Sequence, residues 1–142
     1  MLLSVVSCTN KWDENGSLDG LWRYDSIAYH TAMGDSMVYL VGGQRYLAIQ
    51  LGLVSFRDNA LPVVNGHTNE TLSRFVYRGD SLIFAPMYIH FRAKDSLLTE
   101  SSTMANMHFG IQGHEGHFKI EHLTAKRLVL RSEYARLYLV KF

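Results

Sequence analysis

Hydrophobic and polar positions along this chain alternate over short segments and do not repeat with a helical period. No window of about 18 residues keeps apolar side chains at the i, i+3, i+4 and i+7 positions of an amphipathic helix. Alternation with a period of two, and short apolar runs between turn residues, are typical of strands. The pattern predicts roughly nine short strands, in the segments 21–30, 37–41, 46–56, 72–77, 82–91, 107–111, 117–123, 127–131 and 134–142.

Turn residues between these segments predict how neighbouring strands connect. Gly42-Gly43 predicts a hairpin that joins 37–41 to 46–51, and Gly52 predicts a bulge through which the second strand continues to Phe56. The sequence Arg78-Gly79-Asp80-Ser81 predicts another hairpin. Residues 57–70 are rich in turn residues and predict a loop, and 96–106 predicts a loop or a single turn. The whole pattern favours an antiparallel meander, closed as a barrel or packed as a sandwich.

Composition narrows the class of protein without naming a ligand. The 142 residues fit one domain, and the chain is 47% hydrophobic and 19% charged, which excludes a disordered or fibrous protein. With 14 Lys and Arg against 13 Asp and Glu, the net charge of +1 lacks the excess of basic residues typical of nucleic-acid-binding proteins. We therefore expect no nucleic-acid partner.

The lone cysteine, Cys8, ends a short apolar run at the start of the sequence. Val5-Val6-Ser7-Cys8 resembles a bacterial lipobox, in which the cysteine becomes the lipidated first residue of the mature protein. The resemblance implies an exported lipoprotein of the cell envelope, on the outer membrane or facing the periplasm, that contacts the membrane only through its lipid anchor. On this interpretation residues 1–8 are a signal-peptide remnant, 9–19 a flexible tether and 20–142 the folded domain. The alternative is a short strand that ends at a buried free cysteine.

Gly20-Leu21-Trp22, at the start of the first predicted strand, resembles the N-terminal signature of lipocalins. The segment 120–131 is similar to the closing hairpin of lipocalin-like lipoproteins from Gram-negative bacteria. The resemblance implies an all-β fold, an antiparallel up-and-down barrel of about eight strands. It also implies that Trp22 closes the base of the barrel under a basic residue from the last strand, for which we expect Arg136 ahead of Arg131. Another type of β-sandwich or barrel is the alternative.

Aromatic residues on the predicted strands suggest what such a barrel holds. An eight-stranded barrel is wide enough for packed side chains or for one small ligand. Tyrosine suits amphipathic ligands, because it offers an apolar ring and a hydroxyl group. The alternative is a filled interior without a cavity. We expect the following residues to line a ligand site: Tyr24, Tyr46, Phe75, Tyr77, Tyr88, Phe109, Phe118 and Tyr138.

Histidines near the end of the chain raise the question of a metal site. His114 and His117 flank Glu115, and His122 follows. Imidazole and carboxylate groups are zinc ligands, but the flanking glycines favour an exposed hairpin tip, so we expect no metal ligands there. No nucleophile motif, phosphate loop or cofactor motif is present, and we expect neither an enzyme nor a cofactor.

Two functions are favoured at this point, ahead of a third, a metal-assisted enzyme or metal scavenger built on His114, His117 and His122. The first is a non-enzymatic binding module of the envelope that holds a small apolar or amphipathic ligand in a barrel. The second is a protein-interaction module, such as a protease inhibitor or an accessory subunit of an envelope complex. In that case loops such as 57–70 and 95–106 would contact a protein partner that the sequence does not identify.

Overall fold

The computed structural model describes residues 15–40, 43–59, 67–91, 95–97 and 104–142. Within these ranges there is a short 3-10 helix at Gly16–Leu18 and a helical turn, α1, at Met104–Met107. The strands are β1 (Gly20–Thr31), β2 (Gly34–Tyr39), β3 (Arg45–Gln50), β4 (Leu53–Asp58), β5 (His67–Arg78), β6 (Ser81–Phe91), β7 (Asp95–Leu97), β8 (Gly116–Leu123), β9 (Arg127–Arg131) and β10 (Ala135–Lys141). No helix in these ranges is long and apolar enough to cross a membrane.

Eight of the strands close into an antiparallel barrel, which confirms the all-β prediction. Neighbours in the barrel follow the order β1, β3, β4, β5, β6, β8, β9 and β10. The barrel closes because β10 pairs with β1 along most of its length, from Trp22 opposite Lys141 to Tyr29 opposite Ala135. β2 pairs with the second half of β1, and the short β7 pairs with the end of β6.

Side chains alternate between the barrel interior and its outer wall, as the period of two requires. In β10 the side chains of Ala135, Leu137 and Leu139 are buried, whereas those between them are partly exposed. The inward side chains of the strands form one continuous apolar core that extends from Leu18 to Phe109. The core therefore sits inside the barrel and not between two sheets.

The barrel has two different ends. At one end, here called the base, β1 begins, β10 ends and tight turns at 51–52, 79–80 and 124–126 connect strands. At the other end, here called the mouth, lie the connections 40–44, 59–66, 92–115 and 132–134, of which only parts are described.

Two predicted connections and one predicted strand were wrong. β2 pairs with β1 and not with β3, so the Gly42-Gly43 hairpin does not form, and Gly42 itself lies outside the described residues. β3 and β4 are separate antiparallel strands joined by a turn at 51–52, where a continuous bulged strand was expected. The apolar run 107–111 is not a strand, since it continues α1 through a turn in which Gly110 has a φ of +80°.

Residues 15–19, which we assigned to the tether, are folded against the base. Leu18 is fully buried, and the indole N–H of Trp22 donates a hydrogen bond to its carbonyl oxygen at 2.8 Å. The Asn15 backbone N–H and side-chain amide donate hydrogen bonds to Asp19. The folded domain thus begins at least five residues earlier than predicted, because the backbone of this segment partners Trp22.

Candidate functional site

The base of the barrel is closed by Trp22 with a cation over its ring. Trp22 is fully buried, and the Nζ atom of Lys141 lies 4.7 Å from the centre of the ring. Lys141 Nζ also donates a hydrogen bond to the Ser17 carbonyl oxygen at 2.9 Å. An ammonium group over an indole gains cation–π attraction, so Lys141 seals the base electrostatically and ties it to the N-terminal segment.

The prediction that Arg136 covers Trp22 was wrong, because Arg136 lies on the outer wall. It sits between the inward residues Ala135 and Leu137, and its Nε atom lies 2.6 Å from Glu121 Oε1. A hydrogen bond with Tyr138, followed by the charge of Glu121, raises the pKa of the Arg136 guanidinium. Arg131, the other residue considered, also pairs with Glu121 at 3.8 Å. Both arginines therefore form ion pairs with Glu121 on the outer wall.

At the mouth, residues 104–115 fold inward, and we call this stretch the mouth segment. Phe109 is buried, with its ring 6.2 Å from that of Tyr24 and 5.6 Å from that of Phe56. The fully buried Asn106 accepts hydrogen bonds at its carbonyl from the N–H groups of Phe109 and Ile111. The backbone turn of the mouth segment therefore lies in the apolar interior, where its N–H groups are paired with the Asn106 carbonyl.

A cluster of three polar side chains, Arg45, Asp58 and His108, connects the mouth segment to the β3–β4 hairpin. Arg45 and Asp58 face each other across the hairpin, with Arg45 Nε 3.4 Å from Asp58 Oδ2. His108 Nε2 lies 2.5 Å from the same carboxylate oxygen, and Arg45 Nη1 donates a hydrogen bond to the His108 carbonyl at 2.8 Å. Because the Asp58 carboxylate is almost fully buried, these contacts compensate the cost of removing it from water.

Tyrosine hydroxyls add two more attachments between the mouth segment and β1. The buried Tyr24 hydroxyl donates to the Phe109 carbonyl at 2.9 Å, and the half-buried Tyr29 hydroxyl donates to the Met107 carbonyl at 3.2 Å. Burial raises the pKa of both phenols. Both hydroxyls therefore remain protonated donors at neutral pH.

A cleft of about 310 Å³ opens at the mouth, between the first residues of β8 and the β9–β10 turn. Its floor is apolar, with the buried Ile111 and Phe118 beside Tyr134. Its rim is polar: Glu115 and His117 are hydrogen-bonded at 3.0 Å, and Glu133 lies across from them in the turn. The cleft exists because β8 extends past the end of β9, where Lys119 pairs with Arg131. It combines an apolar floor and polar groups at a volume near the lower end of small-molecule sites, about 300 Å³.

The eight residues expected to line a ligand site lie in the mouth cleft, in or against the core, or on the outer wall. Phe118 contributes to the cleft, whereas Tyr24 and Phe109 are buried in the core. Phe75 and Tyr77 are half-buried and pack against that core. The structure does not bring these side chains together around one enclosed site.

The remaining three, Tyr46, Tyr88 and Tyr138, point away from the interior, and their assignment was wrong. Tyr46 precedes the inward Leu47, and its ring packs against Phe142 with centres 5.9 Å apart. Tyr138 lies between two buried leucines on β10. Tyr88 follows the buried Met87 and lines a shallow groove of about 300 Å³ on the outer wall. Period-two alternation puts each of them on the face opposite to a core residue.

The three histidines do not converge. His117 stands at the mouth and His122 lies five residues further along β8, about 17 Å away along an extended strand. His117 is hydrogen-bonded to Glu115, and His114 lies in the preceding bend. Within the part of the chain that the structure describes, no three His, Cys, Asp or Glu side chains are placed to share a metal ion.

Lys141 and the mouth segment were not identified from the sequence, although the alternation along the last strand does indicate the position of Lys141. Lys141 has the same parity along β10 as the apolar residues Ala135, Leu137 and Leu139, so alternation alone places it on the inward face opposite Trp22. The mouth segment left no comparable signal, because its contacts are with strands far away in the sequence. Cys8, the predicted lipidation site, lies outside the described residues.

Comparisons with known proteins agree with this architecture. A family model described as a lipocalin-like domain matches residues 1–142. A lipocalin-like protein from Bacteroides uniformis ATCC 8492 is similar in structure, with a TM-score of 0.59 and 20% identity over 89% of this chain and 100% of that one. An uncharacterized protein from Bacteroides eggerthii DSM 20697 has a TM-score of 0.52 and 15% identity over 87% of this chain and 98% of that one. No curated protein gives a significant match.

Proposed function

Because the chain belongs to the family of lipocalin-like domains, we propose that it is a non-enzymatic binding module of the cell envelope, anchored by an acylated Cys8, that holds a small amphipathic ligand. Lipocalin-like proteins generally bind small hydrophobic molecules. The mouth cleft is the observation that carries the proposal, since it offers an apolar floor at Ile111 and Phe118 under a polar rim. An amphipathic molecule would rest its apolar part on this floor and leave its polar group at the rim.

The size and surroundings of the cleft favour a small ligand that stays near the mouth. Below the cleft the interior is occupied by the aromatic cluster of Phe56, Phe84, Phe109 and Phe118, whose rings lie 5.1 to 5.7 Å apart. A long ligand would have to displace these rings and their contacts. We therefore expect a molecule with one or two rings or a short alkyl chain.

Binding of N-phenyl-1-naphthylamine, an uncharged amphipathic fluorophore, tests this function. We expect saturable enhancement of its fluorescence with the wild-type chain. Glu133 is exposed at the cleft, so Glu133→Trp should fill the space and weaken binding at least about tenfold, a loss of about 1.4 kcal/mol. The matched control is Met33→Trp, at a fully exposed position outside the cleft. Absence of saturable binding, or equal binding by the Glu133→Trp chain, would contradict the proposal.

The anchor is tested separately in the host cell. Labelling with an alkyne analogue of palmitate should mark the wild-type chain and not Cys8→Ser. The two chains should also separate into membrane and non-membrane fractions of the envelope. Equal labelling of both chains would contradict the anchor without affecting the ligand experiment.

A second candidate function, a protein-interaction module, is favoured by one specific feature. All six residues of β2 are exposed, including Met37, Val38 and Tyr39, and β2 pairs only with β1 within the described residues. Its other edge offers backbone N–H and C=O groups next to apolar side chains. Such an edge accepts an extended segment of another protein by strand addition.

A further inference from the structure

Charge is distributed unevenly between the two ends of the barrel. The exposed outer surface at the base carries the basic residues Arg74, Arg78, Lys119, Lys126 and Arg127. Two exposed acidic residues also lie toward this end: Asp80, 3.8 Å from Lys119, and Glu121 on β8, which pairs with Arg131 and Arg136. Because the whole chain has a net charge of only +1, an excess of positive charge at the base means that the rest of the chain carries a net negative charge. Glu115 and Glu133 at the mouth cleft contribute to that negative charge.

Exposed aliphatic side chains lie among these basic residues. Leu51, Leu53 and Val76 are 39%, 57% and 47% exposed. Leu53 is opposite Arg74 in the β4–β5 pair, and Val76 lies between Arg74 and Arg78 on the same outer face of β5. We call these eight residues the base surface: Leu51, Leu53, Arg74, Val76, Arg78, Lys119, Lys126 and Arg127. Lysine and arginine next to exposed aliphatic groups are typical of surfaces that rest on anionic headgroups.

The chain also enters the barrel at this end. The side-chain amide of Asn15 donates a hydrogen bond to the carbonyl of Leu51 at 2.7 Å, so Asn15 itself lies beside the base surface. Cys8 is seven residues earlier, and seven residues span at most about 25 Å when fully extended. An acyl chain on Cys8 would therefore keep the base, and not the mouth, close to the bilayer.

From the charge, the exposed aliphatic groups and the point of chain entry, we propose that the base surface docks on anionic phospholipid headgroups, so that the mouth cleft faces away from the membrane. The orientation rests on the proposed anchor at Cys8, whereas the affinity of the base surface for anionic lipid does not. This contact adds to the anchor, which the lipobox resemblance implied as the only contact with the membrane.

Vesicle co-sedimentation of the full chain with Cys8→Ser tests the docking surface without an acyl chain. We expect binding at low salt to phosphatidylcholine vesicles that contain phosphatidylglycerol, weak binding to pure phosphatidylcholine, and loss of binding at high salt. Lys126→Gln with Arg127→Gln should weaken binding to the anionic vesicles at least about tenfold. Both side chains are exposed and neither forms a described side-chain contact, so the fold should persist.

A matched control changes the net charge equally at the other end of the barrel. Met33→Glu with Gln112→Glu also lowers the net charge by two, at exposed positions on the mouth side, and should leave vesicle binding within about twofold of the Cys8→Ser chain. Equal loss in both double variants would overturn the proposal, because net charge would then explain binding. Absence of binding to anionic vesicles would also overturn it, even where palmitate labelling supports the anchor. Vesicle binding without palmitate labelling would support docking and contradict only the anchor.

Discussion

At the scale of single residues, the base of the barrel shows what alternation along a strand can predict. Arg136 shares one face of β10 with Tyr138 and Val140, and this face is the outer wall. The inward face is instead defined by Ala135, Leu137 and Leu139, and Lys141 continues it. Counting from the aliphatic residues predicts the correct cation, because only one face of a barrel strand is fully apolar.

Lys141→Ala should destabilise the base and change the environment of Trp22. The variant loses the cation over the indole ring and the hydrogen bond to Ser17, so the free energy of unfolding should fall by about 1–3 kcal/mol. Urea unfolding followed by fluorescence, with Trp12→Phe so that Trp22 is the only indole, measures both effects. Lys126→Ala, at an exposed turn, is the control and should stay within about 0.5 kcal/mol of wild type. An effect of Arg136→Ala on Trp22 emission as large as that of Lys141→Ala would contradict the assignment.

At the scale of elements, the β5–β6 hairpin could be predicted from the sequence, whereas the turn of the mouth segment could not. The β5–β6 hairpin turns at Gly79-Asp80, where turn residues indicated it, because its pairing is settled within a few residues. The mouth segment was predicted to contain a strand, since Met107 to Ile111 is an apolar run. Its turn instead depends on Tyr24 and Leu137, which come from strands far away in the sequence. Periodicity contains no information on such contacts.

Two glycines of the mouth segment allow backbone strain to be separated from packing. Gly110 and Gly113 both have a left-handed φ, of +80° and +90°. A Cβ atom at Gly110 would lie too close to Leu137 Cδ2, whereas none of the surrounding atoms lies within 4 Å of a Cβ at Gly113. Gly113→Ala should therefore cost about 1–2 kcal/mol from strain alone, and Gly110→Ala about 1–3 kcal/mol more from overpacking.

Denaturant unfolding of both glycine variants tests how tightly the mouth segment fits. Equal losses of stability would mean that Leu137 moves away freely and that the segment is loosely packed. Binding of N-phenyl-1-naphthylamine should also distinguish the two glycine variants, because Ile111 of the cleft floor follows Gly110 directly. We expect Gly110→Ala to weaken binding of the naphthylamine probe and Gly113→Ala to leave it unchanged.

At the scale of the whole molecule, the short alternating segments with turn signals predicted an antiparallel meander, as a barrel or a sandwich, and the lipocalin-like signature favoured the barrel. The lipocalin-like signature at Gly20 and Trp22 placed the start of β1, and β1 closes the barrel against β10. The position of β2 could not be predicted in this way. The apolar run 37–41 resembles a barrel strand in the sequence, yet β1 pairs with β3 through its first half and with β2 only through its second half.

The open edge of β2 leads to a prediction about association of the whole molecule. In an antiparallel pairing of two β2 strands centred on Met37, Ser36 faces Val38 and Asp35 faces Tyr39, so no like charges are opposed. Asp35 also has a partner within its own chain, since a hydrogen bond with the His30 ring lowers the pKa of its carboxyl group. A second copy of the chain can therefore extend the sheet by two strands around a twofold axis. The natural devices that block such edges, a lysine, a proline or a bulge, do not occur within Gly34–Tyr39.

Sedimentation velocity over a range of concentrations measures this association. We expect the wild-type chain to form a concentration-dependent dimer and Val38→Lys to remain monomeric, because a lysine on the edge opposes pairing and removes an apolar contact. Leu53→Lys adds the same charge at another exposed aliphatic residue, on the base surface, and should still dimerise. A wild-type chain that stays monomeric at about 100 μM, a concentration at which a dimer of even 10 μM affinity would form, would contradict self-pairing. Dimers that persist in Val38→Lys would locate the interface elsewhere on the barrel and contradict self-pairing through β2.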